Sequence, residues 1–412
     1  MILHIPVISM QDGQVTIAAR VETESPVPNL PRDLWYRFPE KYESNLSVRA
    51  DGFAATALLT AMFCGEDLSI RAPISPKLAY NLLEYRSIFH AWFPKIYRMI
   101  DVRYEKIESA QGNKATGVGA AFSGGVDSFY TLWTQLARNQ PIAEARITHG
   151  LFMHGFDLRL TEKAAYQTIT QKYERLFNDL GLDLISASTN AHQFAEYRID
   201  WSLFFGAPLI GAAIFLSPLF QKFYVPSWIP YKEQTPNGSS ALSDHLLSTE
   251  TLDIIHHGAT TNRFEKISTL TQWPVTFDHL RVCANQKKSD DPQNCSSCHK
   301  CYLTMASLSI MKSLPKYTTF AQKLTFWNYL HWGMHTHMSL PLARDIRKRA
   351  LKAGKIGMVL GLSMAISINV VLNLAIKAIK ILLPPKTLYK VKVKFYKSES
   401  TKTGKNLDHS ST

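Results

Sequence analysis

The sequence predicts an α/β fold built on a parallel sheet, and three observations carry that expectation. Small and apolar residues from Ala115 to Phe122 read as a buried strand, two glycines break it, and Val126 to Arg138 resumes with helical spacing at Phe129, Leu132, Trp133 and Leu136. The alternation then repeats: Arg146 to Phe156 as strand, Glu162 to Leu180 as a helix closed by Gly181, Leu182 to Ala187 as the next strand. Strands separated by helices of this length imply right-handed crossovers and parallel pairing. The apolar share of 46% is ordinary for a chain that buries a real core.

Residues 1–110 read as a small α/β module. Ile2 to Ile5 and Val15 to Val21 are short strands, Pro26, Pro28 and Pro31 mark a loop, and Leu34 to Phe38 is strand-like. Ala54 to Met62 and Pro76 to Trp92 have helical spacing, Asp101 to Glu105 is a further short strand, and Gln111-Gly112-Asn113 is a linker. No catalytic constellation is visible here, so the module is expected to pack on the next domain or to form a subunit contact, such as that of a homodimer. Residues 111–340 form the second domain and 341–412 a basic tail.

Later elements follow the same logic. Trp201 to Phe220 reads as a buried helix, Phe223 to Ser227 and Leu252 to His256 as strands, and the polar stretch from Tyr231 to Ser248 as a mobile loop over the site. In parallel sheets ligands bind beyond the carboxyl ends of the strands. That rule sets Ser123–Ser128, His154–Asp157 and Thr189-Asn190 along one rim.

The formal charge of +13 suggests nucleic acid until it is located. Residues 341–412 hold 15 Lys/Arg against 3 Asp/Glu, a net of +12, which leaves +1 for residues 1–340. A near-neutral body lacks the electrostatic footprint of a nucleic-acid-binding domain. The N-terminus has no basic region ahead of its short apolar run, so a cytoplasmic, reducing location is expected, where cysteines serve as metal ligands or reactive groups.

Ser123-Gly124-Gly125-Val126-Asp127-Ser128 stands where backbone N–H groups and a helix N-terminus converge on phosphate. It is not a Walker loop, because no Gly-Lys-Ser/Thr follows. Ser123, Gly124, Gly125 and Ser128 are expected to donate to the β and γ phosphates. Asp127 is expected on Mg²⁺ or on a loop N–H, since a carboxylate facing phosphate repels it. Arg263 and Lys266, three positions apart in Asn262-Arg263-Phe264-Glu265-Lys266-Ile267, share a helix face and are expected to supply the positive charge that the loop lacks, with a solvated helix face as the alternative.

Cys283, Cys295, Cys298 and Cys301 form C-x11-C-x2-C-x2-C within nineteen residues. Four thiolates at that density suit a tetrahedral Zn²⁺ knuckle, although spacing alone leaves an iron–sulfur cluster open. Cys64 is isolated and is expected as a small buried residue. His256, His257, His335 and His337 lack a partner carboxylate pattern and are expected as surface or core histidines.

The serine-first glycine loop resembles the pyrophosphate-binding (PP) loop of the ATP pyrophosphatase superfamily, which cleaves ATP between its α and β phosphates. With Arg-Phe-Glu-Lys-Ile and the cysteine set following in order, residues 115–310 resemble the 7-cyano-7-deazaguanine synthases and longer relatives that carry Asn-Cys-x-x-Cys-x-Lys-Cys. The resemblance implies a PP-loop fold of the adenine-nucleotide alpha-hydrolase type. It also implies ATP and Mg²⁺ at Ser123, Gly124, Gly125, Val126, Asp127, Ser128, Arg263 and Lys266, with Asp127 and Lys266 catalytic, and Zn²⁺ at the four cysteines. The implied reaction adenylates a carboxylate or similar oxygen group of a small molecule, releases pyrophosphate and AMP, and uses ammonia or an amine. The synthases are shorter and have no counterpart of residues 1–110 or of the tail, so their substrate is not carried over. Sulfur transfer to tRNA would need a nucleophilic cysteine outside the knuckle and a basic body, and the chain has Cys64 and a neutral body. A non-catalytic nucleotide-binding scaffold at a membrane is the third reading.

Ile356 to Ile376 carries no charge and is long enough to span a bilayer. Six Lys/Arg precede it from Arg344 and nine follow to Lys405, so a single span would export the more basic side. A helix at an anionic membrane surface is therefore expected, with a buried oligomer helix as the alternative.

Overall fold

The computed structural model describes residues 1–110, 115–196, 198–283, 294–321, 323–335 and 338–382. The linker at 111–114, the 284–293 stretch of the knuckle, His337 and the tail beyond 382 lie outside the described residues. Two compact units form. One comprises Met1–Cys295 with Ser313–Gln322, the other Ser296–Lys312 with the chain from Lys323.

The first unit is α/β around one mostly parallel, mixed sheet. Its strands are β1 (Ile2–Leu3), β2 (Val7–Gln11), β3 (Gln14–Glu22), β4 (Asp33–Pro39), β5 (Leu68–Ile70), β6 (Val102–Tyr104), β7 (Gly117–Ala121), β8 (His149–His154), β9 (Asp183–Thr189), β10 (Phe220–Pro226) and β11 (Asp253–His257). Their order is β11-β10-β7-β8-β9-β4-β3-β1-β5-β6, with β2 beside β3. From β11 to β9 every pairing is parallel. The chain moves outward from β7 through β8 to β9 and then returns to the other side of β7 as β10. The strand order therefore reverses between β7 and β10, and a crevice opens at such a switch point beyond the carboxyl ends.

Composition explains the tightness of this centre. β7, Gly-Val-Gly-Ala-Ala, is buried at every position, and a Cβ on Gly119 would stand 2.7 Å from the rings of Phe220 and Phe223. Small residues on the strand let large aromatic neighbours close over it. The two flanking helices at Val126–Gln135 and Lys163–Asp179 start and stop within a few residues of the expected bounds. The expected helix from Trp201 to Phe220 is shorter. A 3-10 turn at Trp201–Leu203 precedes a helix at Gly206–Phe215, and Phe220 already belongs to β10.

Residues 1–110 contribute β1 to β6 to the same sheet, joined through an antiparallel β4–β9 pairing with Tyr36 opposite Thr189. Beside this junction the helix Asp51–Cys64 is buried on nearly every side. Its first residue, Asp51, is buried and accepts from Arg49 Nε at 2.7 Å and from Ser75 N at 2.6 Å.

The second unit is helical: His299–Ile310, Phe326–Gly333, Leu340–Lys352 and Ile356–Leu382. The last helix carries the one described segment long and apolar enough to cross a membrane, Ile356–Ile376, with mean hydropathy 2.1 and 28% of its most apolar window buried. Its inner face is Gly361, Leu362, Ala365, Ile366 and Asn369. Asn369 Nδ2 donates to Gly333 O at 3.1 Å and to His335 O at 2.7 Å, and Arg347 NH1 donates to Ser363 Oγ at 3.3 Å. The outer face leaves Ile356, Leu360, Met364, Val371 and Leu374 exposed.

Candidate functional site

The glycine loop follows β7 at the switch point. Gly124 has φ +76, a left-handed backbone, and a Cβ there would fall 1.7 Å from Tyr173 Oη. Only glycine meets both conditions. Tyr173 Oη donates to His279 O at 3.3 Å and Arg281 N donates to Gly124 O at 2.8 Å, so residues 279–281 hold the turn from outside. Gly125 is the N-cap of the Val126–Gln135 helix and supplies no side-chain cap, which leaves first-turn N–H groups for a ligand. Ser128 Oγ donates to Gly125 O at 3.1 Å, and Ser123 Oγ accepts from Gly125 N at 3.3 Å and lies 3.5 Å from Ser128 Oγ.

Asp127, in the first turn, is bracketed by the two cations. Arg263 NH1 donates to Oδ2 at 3.0 Å, and Lys266 Nζ donates to Oδ1 at 3.0 Å and also to Ser227 O, just past β10. Lys266 is 1% exposed, and a buried ammonium requires this kind of pairing. The helix carrying both cations, Arg263–Leu270, begins with a capping box in which Asn262 and Glu265 exchange side-chain bonds. Ser123, Gly124, Gly125, Val126, Asp127, Ser128, Arg263 and Lys266 thus meet in one place, although Ser128 and Arg263 are 135 positions apart in the chain.

Next to this cluster, His257 takes Gln135 Nε2 on its Nε2 at 2.9 Å and lies 3.0 Å from Thr131 Oγ1 through Nδ1. Burial foremost, then the Lys266 charge, push its pKa down to about 4. The ring stays neutral, as the lone pair facing Gln135 requires.

The remaining rim residues are used differently. His154 donates from Nε2 to Arg159 O at 2.8 Å beneath the ring of Tyr166, centroids 4.2 Å apart, and burial lowers its pKa. Thr189 Oγ1 donates to Trp35 O at 2.7 Å, while Asn190 accepts from Trp35 N at 3.0 Å and donates to Asp33 O at 2.8 Å. Both serve the β4–β9 junction. The stretch 231–248 is packed rather than draped over the site: Ser239, Ser240, Ser243 and Asp244 are buried, because Asp244 collects the polar groups of the loop.

Cys283, Cys295, Cys298 and Cys301 place their sulfur atoms within 4.8 Å of one another. A tetrahedral ion with Zn–S bonds of about 2.3 Å sets sulfurs roughly 3.8 Å apart, so the four could hold one metal ion such as zinc. Asn294 Oδ1 takes the backbone N–H groups of Val282 and Cys283 at 2.8 and 3.2 Å, and its Nδ2 donates to Leu280 O at 2.8 Å. Cys298 is the N-cap of His299–Ile310 and Cys301 sits in its first turn.

Sequence reasoning misses Tyr173, which acts through its hydroxyl, and Ser227 and the 279–281 strap, which act through backbone atoms. It also misses the carboxylate partner of His256, which is Asp244, 12 residues upstream with Oδ2 at 2.8 Å from Nδ1. Among the described residues, fold and site define an α/β chain with a glycine turn at a switch point and a four-cysteine cluster. No family model, curated protein or solved structure matches the chain.

Proposed function

We propose that the chain is an ATP-dependent ligase of the ATP pyrophosphatase type, similar to 7-cyano-7-deazaguanine synthase. It would adenylate a carboxylate or similar oxygen group of a small molecule, release pyrophosphate and AMP, and pass the activated group to ammonia or an amine. The observation that carries this reading is the uncapped glycine turn at the switch point with Asp127 held between Arg263 and Lys266. Uncapped N–H groups and two cations at one helix N-terminus suit a polyphosphate. Bound ATP would compete with Asp127 for the cations, which frees the carboxylate for Mg²⁺. Lys266 and Arg263 would then neutralise charge on the departing pyrophosphate.

The test is the product formed from labelled ATP with a mixed metabolite extract. Pyrophosphate and AMP are expected, with at least a hundredfold loss in Asp127→Asn that still folds by circular dichroism. ADP and phosphate as products would overturn the reading.

Zn²⁺ at Cys283, Cys295, Cys298 and Cys301 is the matching structural role. Elemental analysis is expected to give one zinc per chain, lost in Cys298→Ser. Iron with visible absorption would replace zinc by a cluster.

The last helix supports a peripheral attachment to an anionic membrane from the cytoplasmic side. Ile356, Leu360, Met364, Val371 and Leu374 fall at intervals of three, four or seven, so they make one exposed apolar stripe, and the tail sequence adds its lysines. Arg347 bonded beside Ser363 sits against the middle of the helix, where a membrane span would need lipid or apolar neighbours. Co-sedimentation with vesicles containing phosphatidylglycerol is expected, and Leu360→Asp with Val371→Asp should abolish it. Partition that is indifferent to both changes would remove the attachment.

A further inference from the structure

One short backbone segment joins the glycine turn to the cysteine cluster. It runs from His279 to Cys283, and Leu280, Arg281, Val282 and Cys283 are all buried. At its first end it clasps the turn. Arg281 N donates to Gly124 O at 2.8 Å, and Tyr173 Oη, packed where a Cβ on Gly124 would stand, donates to His279 O at 3.3 Å. A Cβ on Gly125 would lie 3.8 Å from Arg281 O, so the segment reaches the second glycine too.

At its other end one side chain holds it. Asn294 Oδ1 accepts from Val282 N at 2.8 Å and from Cys283 N at 3.2 Å, and Asn294 Nδ2 donates to Leu280 O at 2.8 Å. Thr319 Oγ1 donates to the same carbonyl at 2.9 Å. Asn294 is 8% exposed, and a buried amide bonded through both of its polar atoms fixes the backbone it touches. Cys295 follows Asn294 directly, and the segment that Asn294 holds ends in Cys283. Both sulfurs belong to the four that lie within 4.8 Å of one another. A metal ion held by Cys283 and Cys295 therefore ties Asn294 to its backbone partners by a second link, through the ion. Without the ion, the Asn294 bonds lose that support against the entropy of closing the chain between positions 283 and 295.

The two ends are close. Arg281 and Cys283 are two residues apart, a span of at most about 7 Å. A shift at Cys283 is carried to Arg281 N, because buried, close-packed backbone has little room to absorb it in between.

We propose that Asn294 is a positioning residue that couples metal at the four cysteines to the shape of the glycine turn. With metal bound, residues 279–283 hold Gly124 and Gly125 in the conformation that presents the first-turn N–H groups of the Val126–Gln135 helix. With metal removed, the clasp on Gly124 O loosens and the turn opens locally. Affinity for a polyphosphate then falls by the fraction of chains that leave the competent conformation. This coupling rests on the metal and polyphosphate roles proposed above, whereas the path between the two sites is made of hydrogen bonds in the structure.

The test follows backbone amide exchange by mass spectrometry in the full chain, with one zinc per chain and after a chelator has stripped it. Exchange across residues 122–130 is expected to quicken at least tenfold on stripping, while the helix Asp51–Cys64 keeps its protection. In Asn294→Ala that still holds zinc, 122–130 should exchange as in the stripped chain, and stripping should add little. Asn294→Asp keeps the acceptor for Val282 N and Cys283 N and should restore part of the zinc dependence. A residue that only stabilised the fold would leave the zinc effect intact in both variants. Inorganic tripolyphosphate, titrated calorimetrically, should bind several-fold more weakly to the stripped chain and to Asn294→Ala. Exchange at 122–130 that ignores zinc in the folded native chain overturns the coupling. So does an equal zinc effect in Asn294→Ala, or a loss of protection that spreads equally to Asp51–Cys64. A chain that takes up no zinc at all overturns the coupling together with the metal site, and elemental analysis shows it. Absence of tripolyphosphate binding in either state removes the phosphate reading alone, since the exchange result still decides the coupling.

Discussion

The carboxyl ends of β7 and β9 lie two strands apart in one sheet, and both end in small polar residues. At β7 those residues, Ser123 to Ser128, keep helix N–H groups uncapped and gather a carboxylate and two cations. At β9, Thr189 and Asn190 spend their side chains on the backbone of β4. The difference comes from the neighbouring strand. β7 is flanked on both sides by parallel strands whose connections leave a crevice, whereas β9 meets an antiparallel strand whose backbone runs past its end. A polar strand end is a site only where no adjacent backbone claims it.

The largest effect expected from this contrast is at β7. Asp127→Ala would leave the Lys266 ammonium buried without its carboxylate, with Ser227 O and the Tyr130 ring beside it, and would free Arg263 from Asp127, at a cost of about 3 kcal/mol. Chemical denaturation should show that loss. Millimolar ATP should recover part of it if phosphate takes the place of the carboxylate. No recovery would break the view of β7 as the ligand end.

A second prediction concerns pH at the neighbouring strand end. His257 has its pKa lowered from 6.5 to about 4, chiefly by burial and then by Lys266. As pH falls, the unfolded ring takes its proton first, so between about 6.5 and 4 the unfolded state binds more protons. The contribution is fully present above 6.5, declines through that window and is gone below 4, a span of about 3 kcal/mol. Urea unfolding at pH 7 and pH 4.5 should differ more in the native chain than in His257→Gln. Equal differences would refute the buried neutral ring.

The sequence made some of this readable and hid the rest for identifiable reasons. Local periodicity located β7, β8, β9 and the helices after β7 and β8, since each is specified within its own window. The glycine turn was legible because Gly124 answers a backbone demand as well as a packing one. The β4–β9 pairing was not, because it joins residues more than 150 positions apart and leaves no local signature: Asn190 looks the same whether it faces a ligand or Trp35. The 231–248 loop misled for a related reason. Its polar composition reads as a mobile loop over the site, but Asp244 supplies an interior partner that holds Ser239 and Ser240 inward. The cysteine spacing, in contrast, carried over directly into sulfur atoms within 4.8 Å. Closely spaced ligands depend little on distant chain.

The smallest predicted effect lies at β9, and it tests the contrast from the other side. Asn190 is buried and fixes the junction with both amide atoms, Oδ1 on Trp35 N and Nδ2 on Asp33 O. Asn190→Ala strands a backbone donor and a backbone acceptor, which costs about 2 kcal/mol. Asn190→Asp keeps the acceptor for Trp35 N but sets a carboxylate against Asp33 O, so it should destabilise at least as much at pH 7 and recover toward the native chain in acid, where a protonated carboxyl can donate. Neither change should alter ATP turnover per folded molecule, because the Thr189 and Asn190 side chains are bonded to the backbone of β4. Turnover that falls in proportion to that of the Asp127 variants would place Asn190 in the site and erase the distinction between the two strand ends.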